Sequence, residues 1–274
     1  MIHKLSDILV VADMDGTLLS KKKELLPANL ETIRLFTSLG GRFSIASGRV
    51  VESIARYKEV LNYLSPCIAS GGCVIFDFQT MRPISTAVVP RASGQKAVND
   101  ITNMFSDLGV LISGTDGNNY QINGSRELNT LLSDERITYF LHPQEAVPID
   151  WNKVLFAGPS DVLEEVEQYV TENAYLGVYF VRTAPQYFEM MPTGASKGSA
   201  LHHLCGLLGV EIENTVAIGD YYNDIDMMKA AGHSVSMENA PQKIRDIADE
   251  VTGDCENCGV GQYLYSLVKK YGSL

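Results

Sequence analysis

The stretch "DILVVADMDGTLLS" (residues 7–20) decides how the rest of the chain is read. Ile8 to Ala12 is a continuous apolar run, the pattern of a strand covered on both faces, as in a parallel sheet. The run ends in Asp13 and Asp15, and carboxylates rarely close a core strand unless they are paired or bound to metal. Two readings are open at this point. The aspartates are solvated turn residues capping the next segment, or they form the floor of a site.

Working outward, residues 1 to about 84 alternate strand and helix signals. Pro27 opens a helix carrying Leu30, Ile33, Phe36 and Leu39, and Gly40-Gly41 stop it. "RFSIAS" (42–47) reads as a strand, 50–64 as a single helix, 66–70 as a short strand, and 73–77 with 81–88 as a hairpin. The same style resumes with helices near 197–208, 223–230 and 261–270 and strands at 215–220, 233–237 and 250–252. The middle is different. Helices near 94–108 and 160–172 are interleaved with short strands at 110–113, 119–122, 153–157, 175–181 and 187–191, and the loops "SGTDGNNY" and "HPQEAVPID" are rich in Gly, Asn and Pro. The expected architecture is α/β: a Rossmann-like parallel-sheet core formed by residues 1–84 and 193–274, with an inserted α+β cap domain over 85–192.

The chain has 274 residues and 45% hydrophobic content, enough for a large core. No apolar run is long enough to span a bilayer. The first residues lack the tripartite pattern of a signal peptide. Five scattered cysteines do not resemble a secreted disulfide framework, so a cytoplasmic home is expected. A formal net charge of −11 argues against nucleic acid or an anionic membrane surface as partner. It leaves room for a small anionic substrate, because one lysine and a bound cation reverse the local potential. Oligomeric state is not legible.

The polar residues collect at the predicted carboxyl ends of the core strands. Asp13, Asp15, Gly16 and Thr17 follow the first strand, and Ser47-Gly48-Arg49 the second. Lys197 stands before a helix in "PTGASKGSAL", and Asp220, Asn223 and Asp224 follow the strand at 215–220. One such aspartate is noise, but four clusters on one sheet edge are a site. Several carboxylates together repel one another, and a hard cation bound by oxygens, expected to be Mg²⁺, would resolve the conflict. Ser47 and Lys197 suit phosphate oxygens, and Gly16 and Gly48 allow tight turns that bring N–H groups to an oxyanion. The chemistry these groups suit is phosphoryl transfer, with Asp13 as nucleophile and Asp15 as acid and base.

D13-M-D-G-T-L-L, S47-G-R, K197 and G219-D-Y-Y-N-D-I-D-M resemble, in order, the four signature motifs of the haloacid dehalogenase-like superfamily, closest to its Cof-type phosphatases. D254-C-E-N-C-G-V resembles that group's closing segment, whereas Ser70-Gly71-Gly72-Cys73 departs from its usual N-G-A. The resemblance implies a type-II (C2B) cap and Mg²⁺-dependent hydrolysis of small phosphorylated metabolites, such as sugar phosphates or phosphorylated cofactors, through an aspartyl phosphate. It implies metal ligation by Asp13, the Asp15 backbone carbonyl, Asp220 and Asp224. It also implies phosphate or substrate binding by Ser47, Gly48, Lys197 and Asn223.

Plainer readings stand beside these. Ser47 also fits a helix cap, Arg49 is open between a substrate contact and a salt-bridged residue, and Asp226 reads as a solvated or turn residue. Cys255 and Cys258 form a lone CxxC, which is weak evidence for metal or redox chemistry. Tyr175, Tyr179, Phe180, Tyr187 and Phe188 read as cap core. A phosphomutase of similar architecture and a non-catalytic metabolite-binding regulator remain the rival functions.

Overall fold

The computed structural model describes residues 4–142, 147 and 149–272. Most of the "HPQEAVPID" loop therefore lies outside the described residues. The chain runs through Leu9–Ala12 (β1), Pro27–Ser38 (α1), Arg42–Ile45 (β2), Val51–Ile54 (α2), Lys58–Leu61 (α3), Cys67–Ala69 (β3), Val74–Asp77 (β4) and Arg82–Thr86 (β5). It continues through Arg91–Met104 (α4), Gly109–Gly114 (β6), Asn119–Asn123 (β7), Arg126–Glu135 (α5), Phe140–Leu141 (β8), Trp151–Ala157 (β9), Ser160–Glu172 (α6), Val178–Ala184 (β10) and Tyr187–Pro192 (β11). The last part holds Lys197–Leu208 (α7), Thr215–Gly219 (β12), Ile225–Ala230 (α8), His233–Met237 (β13), Gln242–Ile247 (α9), Glu250–Thr252 (β14) and Gly259–Tyr271 (α10). Two compact units result: Met1–Arg49 with Ile54–Ile84 and Ser196–Leu274, and Val50–Ser53 with Ser85–Ala195.

The first unit is built on a parallel sheet of order β14-β13-β12-β1-β2. Single parallel bridges, Phe43 to Leu64 and Ala46 to Ile68, extend its pattern past β2. All four residues of β1 are buried, as a doubly covered strand requires. Because β2 lies on one side of β1 and β12 on the other, the crevice at the carboxyl ends opens where the strand order reverses, the usual place for a ligand in such sheets. One expectation fails here. The single helix over 50–64 is two single-turn helices, α2 and α3. The break frees Tyr57, whose hydroxyl donates to the Lys23 carbonyl at 3.1 Å and whose ring lies 5.7 Å from the Arg49 guanidinium. Tertiary contacts have overridden local propensity.

The second unit is a mixed sheet of order β10-β11-β9-β6-β7-β8, antiparallel except for the β7–β8 pair. On one face α4 and α6 bury Val98, Ile101, Leu163 and Val166 against Val154, Phe156 and Phe188. On the other face α5 covers Leu111 and Leu155 with Leu128 and Leu132. The expected aromatic core is largely real: Tyr175 and Phe188 are buried, and Phe180 stacks on Phe188 at 5.6 Å. Tyr187 packs instead with the α5 cluster, and the Tyr179 hydroxyl donates to the Ala195 carbonyl at 2.5 Å. Among the described residues, no helix is long and apolar enough to cross a membrane.

Candidate active site

Asp13 follows β1 directly and is fixed through its backbone: its N–H donates to the Ile218 carbonyl of β12 at 2.9 Å, and its carbonyl accepts from Leu18. The turn that follows requires Gly16. Its φ is +78°, and a Cβ there would stand 2.4 Å from Asp220 Oδ2, so any side chain would displace the carboxylate. Thr17 then donates its hydroxyl to Asp220 Oδ1 at 2.9 Å. Lys197 opens α7, which Ser196 caps by accepting from the Ser199 N–H. Its ammonium is 98% buried and donates to Asp13 Oδ1 at 2.5 Å and Asp224 Oδ1 at 2.6 Å. The other Asp224 oxygen accepts the N–H groups of Asp220 and Tyr221, both at 3.1 Å.

Asp13, Asp220 and Asp224 each offer an oxygen within 4.8 Å of the others. Burial pushes the Asp13 carboxyl well above its ordinary value against the pull of Lys197, and the charges on Asp224, Asp220 and Asp15 add to the rise. Burial, with the Asp224 charge, pushes Asp220 up to about 7, partly offset by the Thr17 hydrogen bond. Burial alone would lower the Lys197 pKa, but the carboxylates of Asp13 and Asp224 overcome it and hold the ammonium above its ordinary range. Three carboxylates against one ammonium leave a deficit of two positive charges. A divalent cation fits that deficit, and the donor set, oxygen throughout, suits a hard ion.

Asp15 stands apart from this cluster. Its carboxylate is held by Arg49 in a bidentate pair, Nε to Oδ2 at 2.6 Å and Nη2 to Oδ1 at 2.7 Å. Arg49 is almost fully buried while Asp15 is half exposed, so the fork orients a carboxylate whose outer side faces solvent. Ser47 is buried and its hydroxyl accepts from the Arg49 N–H at 3.1 Å. Its helix-cap reading gives way to this local turn, since α2 begins only at Val51. Gly48 does not lie in the left-handed region, and a Cβ would meet nothing within 4 Å. The chain does bend there, but the bend needs no left-handed residue, and what the position offers is open space. The Asn223 side chain is half-buried and makes no hydrogen bond among the described residues.

The roles of three supporting residues escaped the sequence reading. Asp226 accepts the Gly198 N–H at 3.0 Å and so pins the start of α7, and with it Lys197, to α8. Asn239 donates to the Gly16 carbonyl at 2.8 Å and accepts from the Cys255 N–H at 2.9 Å, bracing the turn after Asp13. Thr17 was visible in the motif but had no role assigned. Nothing in local periodicity marks Asn239 or Asp226, because each acts on a backbone group distant in sequence. Cys255 is buried, Cys258 is half-buried, and both are free thiols. Neither belongs to the carboxylate cluster.

The comparisons with known proteins agree with this geometry. A family model described as haloacid dehalogenase-like hydrolase matches residues 10–264, and the chain belongs to that family. The chain is 26% identical over 269 residues to the pyridoxal phosphate phosphatase YbhA of Escherichia coli, covering 94% of this chain and 97% of that one. It is 24% identical to the 5-amino-6-(5-phospho-D-ribitylamino)uracil phosphatase YwtE of Bacillus subtilis, covering 94% and 97%. A haloacid dehalogenase-like hydrolase from Bacteroides thetaiotaomicron superposes with a TM-score of 0.84 at 24% identity, over 95% of this chain and 99% of that chain.

Proposed function

We propose that the protein is a Cof-type phosphatase with a type-II cap, residues 85–192, inserted in a catalytic core of residues 1–84 and 193–274, and that it hydrolyses small phosphate monoesters using Mg²⁺. The observation that carries this reading is the convergence of Asp13, Asp220 and Asp224 within 4.8 Å beside the buried Lys197. Relatives act on chemically different esters, one of pyridoxal and one of a ribitylaminouracil. The organic part of the substrate is therefore not inherited from them.

In this reading an Asp13 oxygen attacks phosphorus, and the bond from phosphorus to the ester oxygen breaks. For this step Asp15 must first take up a proton from solvent on its exposed side, and it then gives that proton to the departing oxygen while Arg49 orients it. The resulting aspartyl phosphate is hydrolysed when Asp15 takes a proton from water and the water oxygen attacks phosphorus, which releases phosphate and restores Asp13. Lys197 fixes the Asp13 rotamer and, with the Ser47 hydroxyl, faces charge growing on the phosphoryl oxygens. Asp13, Asp220, Asp224 and the Asp15 carbonyl would hold the divalent cation, which supplies charge neutralisation for the approach of an anionic nucleophile to a phosphate. Gly48 leaves room for a phosphate oxygen, and Asn223 supplies a side-chain amide to the substrate.

The test is phosphate release from a panel of phosphorylated metabolites with Mg²⁺, beside EDTA and Asp13→Asn. Turnover lost in both controls is the expected result. Interconversion of phosphate positions without net phosphate release would instead point to a mutase.

A further inference from the structure

The two cysteines that the reaction does not use lie on a turn fastened to the loop behind the nucleophile. Cys255–Asn257 form one turn of 3₁₀ helix, and Cys258 follows as the residue that opens α10. Both thiols are free; Cys255 is buried and Cys258 is half-buried. A 3₁₀ helix rises about 2 Å per residue and eclipses side chains three apart, which sets the two Cα atoms about 6 Å from each other. A disulfide spans Cα separations of about 4.4 to 6.8 Å. The backbone therefore holds the pair at disulfide range. Metal binding is the weaker use, since one pair supplies half of a closed zinc site and no further ligand joins it in a cluster among the described residues.

This turn is tied to the candidate active site at two points. The Cys255 N–H donates to Asn239 Oδ1 at 2.9 Å, and the Asn239 amide donates to the Gly16 carbonyl at 2.8 Å. Glu256, between the two cysteines, accepts the Lys21 N–H at 2.6 Å. Gly16 has no slack against Asp220, because a Cβ there would stand 2.4 Å from Oδ2. Cys258 is held at φ +59°, in the left-handed region, which a residue with a side chain adopts at a cost. A bond between the sulfurs puts a second constraint on these four residues. Any rotation it imposes on Cys255 passes through Asn239 to the turn after Asp13.

We propose that Cys255 and Cys258 are a reversible modification site, closed into a disulfide by a peroxide, and that the closed turn slows phosphate release. The effect on rate rests on the phosphatase reading above; the disulfide does not. The half-buried Cys258 sulfur takes an oxygen from the peroxide and becomes a sulfenic acid, with release of one water. The Cys255 sulfur then attacks the Cys258 sulfur, the S–O bond breaks, and the hydroxyl leaves with the Cys255 proton as a second water. Two electrons pass from the thiols to the peroxide. A small dithiol reverses the change by exchange, becoming a disulfide itself as both thiols return.

The experiment treats the protein with hydrogen peroxide, alkylates it and digests it with trypsin, which releases both cysteines in one peptide, residues 246–269. That peptide is expected to be unalkylated and lighter by two hydrogens, and to be alkylated at both sulfurs after dithiothreitol. With p-nitrophenyl phosphate and Mg²⁺, kcat of the oxidised form should fall about tenfold and return with dithiothreitol, as a small displacement of a reacting group allows. Cys258→Gly removes one sulfur and suits the left-handed backbone, so it should fold, turn over like reduced wild type, and keep its activity in peroxide. A fully alkylated peptide after peroxide overturns the proposal. So does a disulfide that leaves kcat within about twofold, or a Cys258→Gly variant inactivated as strongly as wild type. Reduced wild type that releases no phosphate from any ester defeats the phosphatase reading instead, and the peptide mass still decides whether the pair closes.

Discussion

Two buried lysine–carboxylate groups, one in each unit of the molecule, are alike in parts and differ in setting. In the core, Lys197 binds two carboxylates, and a third, Asp220, lies in the same cluster, so the group as a whole lacks positive charge. In the cap, the Lys153 ammonium donates to Glu189 Oε1 at 2.7 Å, both side chains buried. The first arrangement has the carboxylate excess that a divalent cation would offset. Burial is similar in both, so depth alone does not make a candidate metal site.

The comparison breaks most visibly at Asp13. Asp13→Asn should lower kcat by about 10³-fold or more, since an amide oxygen is a poor nucleophile for phosphorus, and a phosphate-release assay on the folded variant checks it. Lys197→Met should cost about 10²-fold in kcat. Its effect on stability should depend on metal, because the cation then has to carry the whole charge of the cluster; melting curves with and without Mg²⁺ measure this. In the cap, Lys153→Met alone strands Glu189 and should destabilise by about 3 kcal/mol in urea unfolding, a loss that adding Glu189→Leu restores. Arg49→Lys keeps the charge but loses the fork on Asp15, and should lower kcat about tenfold with a smaller change in KM.

The smallest effect expected lies away from both groups. The Ser234 N–H and hydroxyl hold the Asp249 carboxyl below its ordinary range. A depressed folded-state value stabilises above the unfolded pKa and is lost as pH falls through the folded one. Asp249→Asn should therefore melt slightly below wild type at pH 7, with the gap closing in acid. Exposure of the carboxylate keeps the difference small.

The core was legible because its site residues sit where apolar runs stop, and a strand end is a local feature. Asp13, Ser47 and Asp220 each follow a strand of the parallel sheet, and the sheet itself brings them together. The buried Lys153–Glu189 pair was not legible. Lys153 and Glu189 belong to different hairpins, and only the pairing register aligns them. Helix α5 was overlooked although Ser125 caps it by accepting from Leu128, and Leu128 and Leu132 lie one turn apart on its buried face. The single helix expected over 50–64 failed for the opposite reason: its periodicity was real, but Tyr57 has partners at Lys23 and Arg49 that a continuous helix would not satisfy. Arg49 stayed ambiguous because its value depends on meeting Asp15, 34 positions earlier.

The hydrogen bond from Thr17 to Asp220 spans 203 positions of sequence. β1 likewise takes one neighbour, β2, from the next stretch of chain and the other, β12, from near the far end. Asp13 is therefore made long before Asp220 and Asp224, and a chain cut short between β1 and β12 carries it without the other two carboxylates of the cluster.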